Sequence, residues 1–408
     1  MQSIPIFSLL TTILSLSPKI SGFMGISVGV GVGVGVGVGV WIPGNAPSPA
    51  STDNVEYIAL QSFKSSIADD PNATLSSWSG PNICSYKGIF CSDPPEPLPS
   101  ASLVVAVIDL NRANLAGTLT PDLSLLSHLS ALHLNSNRFS GSIPLSLSNL
   151  QYLSELDLSN NLFSGPFPSS TLQIPNLIYL DLRFNSFSGQ IPDELFQNPN
   201  LDAIFLNNNQ FQGEIPFTLW SSSASAITLA NNQLTGSIPA SFGYSGPGLK
   251  EILLMNNKLT GCIPEGVGYV TGMQVLDLSF NSLTGHLPDS ISCLAGIEVL
   301  NIAHNKLSGD LPEVVCDLRN LLNLTVSYNF FSGVSNDCTR LLFRNVGFDL
   351  AGNCIPGRDL QRPAPECDGT SAGGLSCLRV PGMRPAGCGG AGGDGMSGLP
   401  YFFRVSVP

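Results

Sequence analysis

The sequence has little charge and few histidines. Only 11% of its 408 residues are charged, with 17 Lys and Arg against 29 Asp and Glu, so the formal net charge is −12. A lightly charged acidic chain is a poor partner for the phosphates of nucleic acid, which excludes nucleic-acid binding. The four histidines lack the Cys–His spacing of a metal site, and neither His133 nor His304 has a nucleophile partner in the sequence. We therefore expect no metal, no cofactor and no catalysis, but a protein that binds other molecules.

The N-terminal segment indicates secretion. The first 18 residues carry no charged side chain and include a short apolar core, which predicts a secretory signal peptide over residues 1–22. A Gly-Val alternation follows, and the uncharged stretch from Ile20 to Ile42 is long enough to span a bilayer as a membrane anchor. It is rich in glycine, which is unfavourable in a helix. A low-complexity Gly-Val and Pro/Ser linker over residues 23–53 is therefore the favoured interpretation, and membrane association is not expected.

A repeat of about 24 residues runs through the middle of the sequence. One Asn recurs at steps of 23 to 25 residues and marks ten coils from about Leu103 to Gly333, with Ala113 in the same slot of a degenerate first coil. Four residues after this slot there is a Gly in all ten coils, and seven after it there is a Pro in eight. We call the recurring residues the anchor asparagines, and they are Asn137, Asn161, Asn185, Asn209, Asn232, Asn257, Asn281, Asn305 and Asn329.

Each recurring position has a physical role. Side chains alternate along a strand, so both leucines of Leu156-Asp157-Leu158 point into a core while the aspartate faces outward. The anchor amide can satisfy backbone groups that the turn would otherwise bury unpaired. One coil cannot bury its own apolar face, so neighbouring coils must stack and both ends need caps. Five phenylalanines two residues after the anchor slot are interpreted as a stacked spine inside the coils, rather than as a ligand-binding box: Phe139, Phe163, Phe187, Phe211 and Phe331.

Both flanks of the repeats contain candidate caps. Before the repeats, apolar residues recur at helical spacing at Tyr57, Leu60, Phe63 and Ile67. The sequence therefore predicts six segments, which are the signal peptide 1–22, the linker 23–53, an N-terminal cap 54–102, ten repeats 103–335, a C-terminal cap 336–367 and a disordered Gly/Pro-rich tail 368–408.

The ten cysteines, an even number, suit a disulfide framework in an oxidising compartment. A Cys84–Cys91 disulfide would lock the N-terminal cap, and Cys338 and Cys354 mark the closing cap. Cys293 and Cys316 are about one coil apart and are interpreted as a pair on adjacent turns. The remaining cysteines have no evident partners, which leaves a disulfide-linked or non-covalent dimer open: Cys262, Cys367, Cys377 and Cys388.

The repeat Leu-x-x-Leu-x-Leu-x-x-Asn-x-Leu-x-Gly-x-Ile-Pro resembles the plant-specific class of leucine-rich repeats. A more specific resemblance, over roughly residues 54–367, is to the leucine-rich repeat extensins and their close relatives. It rests on Tyr57-Ile58-Ala59-Leu60-Gln61, Gly80-Pro81-Asn82-Ile83-Cys84-Ser85-Tyr86-Lys87-Gly88-Ile89-Phe90-Cys91, Leu180-Asp181-Leu182-Arg183-Phe184-Asn185, Ala203-Ile204-Phe205-Leu206-Asn207-Asn208-Asn209-Gln210-Phe211 and Val326-Ser327-Tyr328-Asn329-Phe330-Phe331-Ser332-Gly333-Val334.

This resemblance implies an α/β repeat solenoid, a plant-type leucine-rich-repeat superhelix of about ten 24-residue coils with a disulfide cap at each end. It also implies a secreted protein of the plant cell wall that captures small basic cysteine-rich signalling peptides of the rapid alkalinisation factor type. In that family an extensin domain of Ser-Pro runs anchors the protein in the wall. No Ser-Pro-Pro-Pro repeat follows Cys367, so the chain departs from the family there, as a short relative without that domain or as an incomplete sequence.

The outward residues of the strands should form a concave face, which repeat proteins commonly use for binding. Acids on this face would steer a basic partner, and aromatic side chains are favoured anchors at interfaces. The alternative is that Asp between two leucines only fills the repeat. The candidate peptide-binding residues are Glu155, Asp157, Tyr179, Asp181, Phe184 and Phe205.

Two glycosylation sequons, at Asn72 and Asn323, add a constraint. A glycan on Asn323 would cover one end of the concave face, so binding is expected toward the N-terminal repeats. The expected partners are basic secreted peptides, with cell-wall pectin and receptor-kinase ectodomains as further candidates. Two other functions stay open, an inhibitor of polygalacturonases and a passive structural glycoprotein that binds pectin.

Overall fold

The computed structural model describes residues 55–94, 103–239, 242 and 248–368. The predicted signal peptide, the Gly-Val and Pro/Ser linker, all but the first residue of the predicted tail, and Cys377 and Cys388 lie outside these residues. Within the described ranges, no helix has the length and apolar character needed to cross a bilayer.

Short strands dominate the secondary structure. Four α-helices are α1 (Val55–Ser65), α2 (Glu313–Cys316), α3 (Arg340–Phe343) and α4 (Ala364–Cys367). The strands are β1 (Ile67–Asp69), β2 (Ile89–Ser92), β3 (Val104–Asp109), β4 (Ala116–Gly117), β5 (Ala131–His133), β6 (Arg138–Gly141), β7 (Glu155–Asp157), β8 (Leu162–Gly165), β9 (Tyr179–Asp181), β10 (Ser186–Gly189), β11 (Ala203–Phe205), β12 (Gln210–Glu214), β13 (Ala226–Thr228), β14 (Gln233–Thr235), β15 (Glu251–Leu253), β16 (Val275–Asp277), β17 (Thr284–Gly285), β18 (Val299–Asn301), β19 (Lys306–Leu311), β20 (Asn323–Thr325), β21 (Phe330–Val334) and β22 (Gly347–Asp349).

Ten 3₁₀ helices complete the described elements. Seven of them lie within the repeats, at Pro121–Leu125, Leu145–Asn149, Ser169–Gln173, Asp193–Gln197, Phe217–Ser221, Glu265–Tyr269 and Asp289–Cys293. The other three lie in the flanks, at Thr74–Ser77, Ile83–Ser85 and Asn336–Thr339. Seven of the ten begin directly after a proline or contain one at the first position, because proline presets φ and needs no donor there.

One twelve-stranded sheet carries the repeated Leu-x-Leu strands. Its strand order is β2-β3-β5-β7-β9-β11-β13-β15-β16-β18-β20-β22, with β2 antiparallel to β3 and the other pairs parallel. Equivalent residues pair in register, so Leu156 lies between Leu132 and Leu180. We call the outward side of this sheet the strand face. The strands that follow each anchor slot form two further sheets, β4-β6-β8-β10-β12-β14, to which β1 of the N-terminal cap adds an antiparallel edge, and β17-β19-β21.

The anchor asparagines link each coil to the one before it. The side-chain oxygen of Asn161 accepts from the backbone N–H of Phe139 at 3.0 Å. Its amide nitrogen donates to the carbonyls of Leu134, Leu158 and Ser159 at 2.9 to 3.1 Å. The same pattern is repeated one coil beyond the last anchor of the sequence repeat, where Asn353 accepts from Phe331 N–H at 3.1 Å. The backbone groups that the anchor asparagines contact therefore have partners in successive turns of the stack.

The phenylalanine spine is confirmed for four of its five predicted members, and the fifth, Phe331, is buried five coils beyond Phe211. Phe139, Phe163, Phe187 and Phe211 are at most 1% exposed. Their ring centroids lie 6.2 to 6.3 Å apart with interplanar angles of 4 to 14°. Phe63 of α1 extends the stack at 5.8 Å from Phe139. These rings therefore form the packing core of the coils and are closed to a ligand.

The N-terminal cap closes the first coil. Ala59, Leu60 and Phe63 of α1 are fully buried, and Phe63 packs on Trp78 at 6.1 Å between ring centroids. The helix ends at Ser65, so Ile67 lies in β1 and does not continue its apolar stripe. The Cys84–Cys91 disulfide is present, with a Cα–Cα distance of 5.6 Å.

The predicted Cys293–Cys316 pair is wrong. Cys316 is bonded to Cys338, with a Cα–Cα distance of 5.0 Å, and Cys293 has another disulfide partner. Separations of 22 and 23 residues both equal about one coil, so spacing alone could not choose between them. Cys354 pairs with Cys367, for which the sequence offered no partner. Two disulfides therefore close the C-terminal end.

We expect Leu158→Ala to lower the free energy of unfolding by about 2–5 kcal/mol, because Leu158 is fully buried and its removal leaves a cavity between coils. Leu162→Ala is the matched control, since Leu162 is 58% exposed, and should change stability by less than about 0.5 kcal/mol. Denaturant unfolding of both variants measures the difference. Equal effects would show that the inward leucines do not form the core.

Candidate functional site

The in-register strands turn outward residues into rows that run across the sheet. One of these rows, which we call the middle row, consists of the residues between the two inward leucines of each coil. It contains Asp109, His133, Asp157, Asp181, Phe205, Thr228, Leu253, Asp277, Asn301, Thr325 and Asp349. Neighbouring strands in a sheet are about 4.8 Å apart. The first four positions therefore place three carboxylates and one imidazole side by side.

The structure brings the six predicted peptide-binding residues onto three adjacent strands and one turn. Glu155 and Asp157 lie on β7, Tyr179 and Asp181 on β9, and Phe205 on β11. The sixth, Phe184, occupies the turn after β9. Exposure divides the set, because Asp181 is fully buried and Phe205 is only 1% exposed, whereas the Glu155 side chain keeps 34% of its surface. Asp181 and Phe205 thus lie beneath the accessible surface and contact the residues that form it.

Asp181 is held by three donors. The Tyr179 hydroxyl donates to it at 3.0 Å, the Arg183 Nε lies 2.9 Å from its carboxylate, and the Arg183 backbone N–H donates at 3.1 Å. Burial, with the nearby Asp157 charge, raises the pKa of Asp181 to about 7 against these stabilising contacts. Burial also raises the pKa of Tyr179 well above its usual value.

Arg183 was missed as a site residue by sequence reasoning. Its guanidinium lies 5.1 Å from the centre of the Phe205 ring, and Tyr179 contacts the same ring at 5.5 Å between centroids. The signal was present in the alternation of the chain, since residues 179, 181 and 183 must share one side of an extended segment. The resulting cluster joins an acid, a cation and two aromatic rings.

A second polar group lies on the N-terminal side of that cluster. The His133 Nε2 and a Glu155 carboxylate oxygen are 2.9 Å apart. Burial lowers the pKa of His133, but the Glu155 hydrogen bond and the charges of Glu155, Asp157 and Asp109 outweigh it, and the pKa is raised overall. The Ser159 backbone N–H donates to Asp157 at 3.0 Å. The part of the face that keeps accessible acids is therefore around His133.

The C-terminal part of the strand face is chemically different. Thr228, Leu253 and Asp277 of the middle row are buried, and burial together with the Glu298 charge raises the pKa of Glu251 to about 7. Beside this part, three rings stack along the edge of the sheet, with Phe280–His304 and His304–Tyr328 centroid distances of 4.1 and 4.3 Å.

The three stacked residues share an unusual backbone. Phe280, His304 and Tyr328 precede an anchor slot and have φ between 53 and 55°, a left-handed conformation that costs a residue with a Cβ roughly 1–2 kcal/mol. Phe184 has the same conformation at φ 54°. The turn geometry that lets the anchor Asn point inward imposes it in each coil.

The two predicted glycosylation positions lie far apart on the chain. Asn72 is exposed and its side-chain amide donates to the Ala113 carbonyl at 3.1 Å. Asn323 is exposed in β20 and accepts from the Thr325 hydroxyl at 2.8 Å. Among the described residues, no group of three or more His, Cys, Asp or Glu is arranged to hold a metal ion.

Models of known families match both the N-terminal cap and several of the repeats. Residues 53–92 match the leucine rich repeat N-terminal domain, and residues 247–307 match a leucine rich repeat model. Three further leucine rich repeat matches cover residues 128–150, 152–173 and 176–198. The chain contains leucine-rich repeats and the N-terminal domain that precedes them. The expected repeat solenoid is confirmed by these matches together with the stacked parallel strands.

Curated relatives confirm the resemblance to the extensins. Pollen-specific leucine-rich repeat extensin-like protein 1 of Arabidopsis thaliana is 51% identical over 77 residues, which cover 19% of this chain and 8% of that protein. Leucine-rich repeat extensin-like protein 1 of the same plant is 48% identical over 77 residues, or 19% and 10% of the two chains. This leucine-rich-repeat chain thus aligns with about a tenth of the length of these relatives.

Solved structures with the same fold include receptor ectodomains. The ectodomain of the Arabidopsis thaliana receptor kinase GASSHO1/SCHENGEN3, in complex with CASPARIAN STRIP INTEGRITY FACTOR 2, is 32% identical with a TM-score of 0.56, and covers 60% of this chain and 29% of that one. The Arabidopsis receptor kinase HAESA, in complex with the peptide hormone IDA and the co-receptor SERK1, is 26% identical (TM-score 0.59; 74% and 54%). A plant ice-binding protein is 26% identical (TM-score 0.62; 77% and 96%).

The raised pKa values predict a protein that loses stability as pH rises toward neutrality. Asp181 and Glu251 have folded pKa values of about 7, above the values of about 4 expected in the unfolded chain. The folded state therefore holds these protons more tightly, and their contribution is fully present below about pH 4 and is lost as pH rises through 7. Each carboxyl contributes up to about 4 kcal/mol.

Denaturant unfolding between pH 4 and 8 measures this loss, and Asp181→Asn should flatten the pH dependence. Asp359→Asn, which changes an exposed carboxyl, is the matched control and should leave the slope unchanged. A wild-type free energy of unfolding that rises from pH 4 to 7 would contradict the assignment.

Proposed function

We propose that this leucine-rich-repeat chain is a secreted protein of the plant cell wall that captures small basic cysteine-rich peptides, of the rapid alkalinisation factor type, on its strand face. The observation that carries the proposal is the register of β5, β7 and β9. It sets Asp157 beside Asp181 on neighbouring strands, with Glu155 next to them on the same face. Asp181 is buried and paired with Arg183, so a cationic ligand would meet the accessible carboxylates of Glu155 and Asp157.

The aromatic residues beside the acids favour a peptide over a simple cation. Tyr179 is half-buried above Phe205, and Arg183 packs on the same ring. A rigid aromatic patch next to accessible acids is the combination that anchors peptide side chains at interfaces. The HAESA structure, which is similar to this chain, contains the peptide hormone IDA, and that of GASSHO1/SCHENGEN3 contains CASPARIAN STRIP INTEGRITY FACTOR 2. Their likeness supports a peptide as the ligand class.

An extracellular location is part of the proposal. The disulfides Cys84–Cys91, Cys316–Cys338 and Cys354–Cys367 close both ends of the described repeats. Disulfides persist in oxidising compartments such as the extracellular space. The extensin-like relatives support the plant cell wall as the place of action. The net charge of −12 disfavours pectin, a polyanion, as the ligand.

The experiment compares three partners with the purified chain: a basic cysteine-rich peptide, pectin oligomers and a polygalacturonase. We expect the peptide alone to bind, and the double variant Glu155→Gln with Asp157→Asn to weaken that binding about tenfold or more, because two steering charges are removed. Calorimetry measures the affinities. We leave Asp181 unchanged because it is buried, so a change there would test folding instead of contact.

Glu214→Gln is the control for this experiment. Glu214 is exposed on β12, outside the strand face, so its neutralisation removes one negative charge, half the change in the double variant, without touching the site. An equal loss of peptide affinity in Glu214→Gln would show that the effect depends on net charge and not on the site. Inhibition of the polygalacturonase, or binding of pectin without the peptide, would replace the proposal with one of the two alternative functions.

A glycan on Asn323 would restrict the ligand to the N-terminal repeats. The backbone at Gly347 on the next strand leaves space beside Asn323, since a Cβ there would lie 2.9 Å from its amide nitrogen. We propose that Asn323 and Asn72 carry N-linked glycans. Enzymatic deglycosylation of the secreted protein should increase its mobility on a gel in two steps, one of which Asn323→Gln removes.

A further inference from the structure

His133 occupies a position in the middle row that would otherwise complete a run of acids. It pairs in register with Asp109 on β3 and with Asp157 on β7. On those two flanking strands, the charged groups that face it are Asp109, Glu155 and Asp157. Its Nε2 lies 2.9 Å from the Glu155 carboxylate, and the two side chains keep 24% and 34% of their surface. It is therefore partly open to solvent and in direct contact with the acid that the ligand would use.

We infer that His133 is a built-in competitor of the cationic ligand: when protonated it occupies Glu155, and when neutral it leaves the acids free to bind the peptide. The inference rests on the proposed function and adds the regulation of that same site. It predicts a leucine-rich-repeat protein that releases basic peptides in an acidic medium and holds them in a more neutral one.

The charges on the strand face determine the direction in which affinity for a cationic peptide changes with pH. The carboxylates of Glu155, Asp157 and Asp109 hold the pKa of His133 above its ordinary value, so protonation is complete in mildly acidic solution. The positive imidazolium then cancels one negative charge and is hydrogen-bonded to Glu155. A cationic ligand must displace it. As pH rises through the His133 pKa that positive charge disappears, and the net attraction for a cation increases.

The other three histidines have different surroundings. His128 stacks on Tyr152, His304 stacks between two rings, and the Nδ1 of His286 lies 3.1 Å from the Ser308 carbonyl. His286 follows β17 and belongs to no strand of the twelve-stranded sheet. It serves as the matched control because it is a histidine that lies outside the strand face.

The experiment measures the affinity of a basic, histidine-free, disulfide-bonded peptide for the full chain at pH 5.5 and 7.5, so that the probe keeps a constant charge. We expect wild-type affinity to be about three- to tenfold higher at pH 7.5. His133→Gln, which is neutral at both values, should lose most of this change and bind tightly at both. His133→Lys, which is positive at both, should bind weakly at both. His286→Gln should behave as the wild type.

Asp181 also gains charge near pH 7 and favours a cation in the same direction, so the informative quantity is the wild-type ratio divided by the His133→Gln ratio. An NMR titration of the histidine ring protons gives an independent readout, in which Glu155→Gln should lower the pKa of His133. A ratio of affinities unchanged in His133→Gln, or a His133 pKa that ignores Glu155→Gln, would overturn the inference alone. Absence of peptide binding at both pH values would overturn it together with the proposed function.

Discussion

Satisfying the buried backbone groups of each turn is the constraint on which the rest of the structure depends. One asparagine per coil does this, as Asn161 shows by accepting from Phe139 and donating to Leu134 in the preceding coil. A buried amide or carbonyl left without a partner costs roughly 1–3 kcal/mol. The step between anchors can therefore vary little, and it stays between 23 and 25 residues along the repeats. Equal coil lengths in turn keep neighbouring strands in register.

Register is also the source of the site's chemistry. Because equivalent residues pair across β5, β7 and β9, carboxylates such as Asp157 and Asp181 are brought side by side without any choice of rotamer. The fold compensates them individually, Asp181 by Arg183 and Tyr179 and Glu155 by His133. The surface thus combines a buried, fully paired layer with an upper layer whose acids remain accessible to a partner.

The repeat, its inward leucines and the phenylalanine spine followed from the sequence because each coil states the same pattern again. The sequence also predicted that Glu155, Asp157, Tyr179 and Asp181 lie on adjacent strands, because residues one coil apart in the sequence occupy neighbouring strands. Burial within the group did not follow, because the exposure of Asp181 depends on how Tyr179 and Arg183 lie over it. The predicted disulfide partner of Cys316 was wrong, because Cys293 and Cys338 are each about one coil away in the sequence and only the direction of the side chains distinguishes them.

The parallel pairing of β5, β7, β9 and β11 sets a fixed spacing between equivalent side chains, which any segment bound across these strands must match. Strands are about 4.8 Å apart, whereas an extended peptide advances about 3.3 Å per residue. A segment that crosses the sheet at right angles therefore moves about three residues for every two coils. Successive side chains of such a segment point to opposite sides, so a side chain that faces the sheet returns to phase with the middle row only at about the sixth residue, about four coils further along.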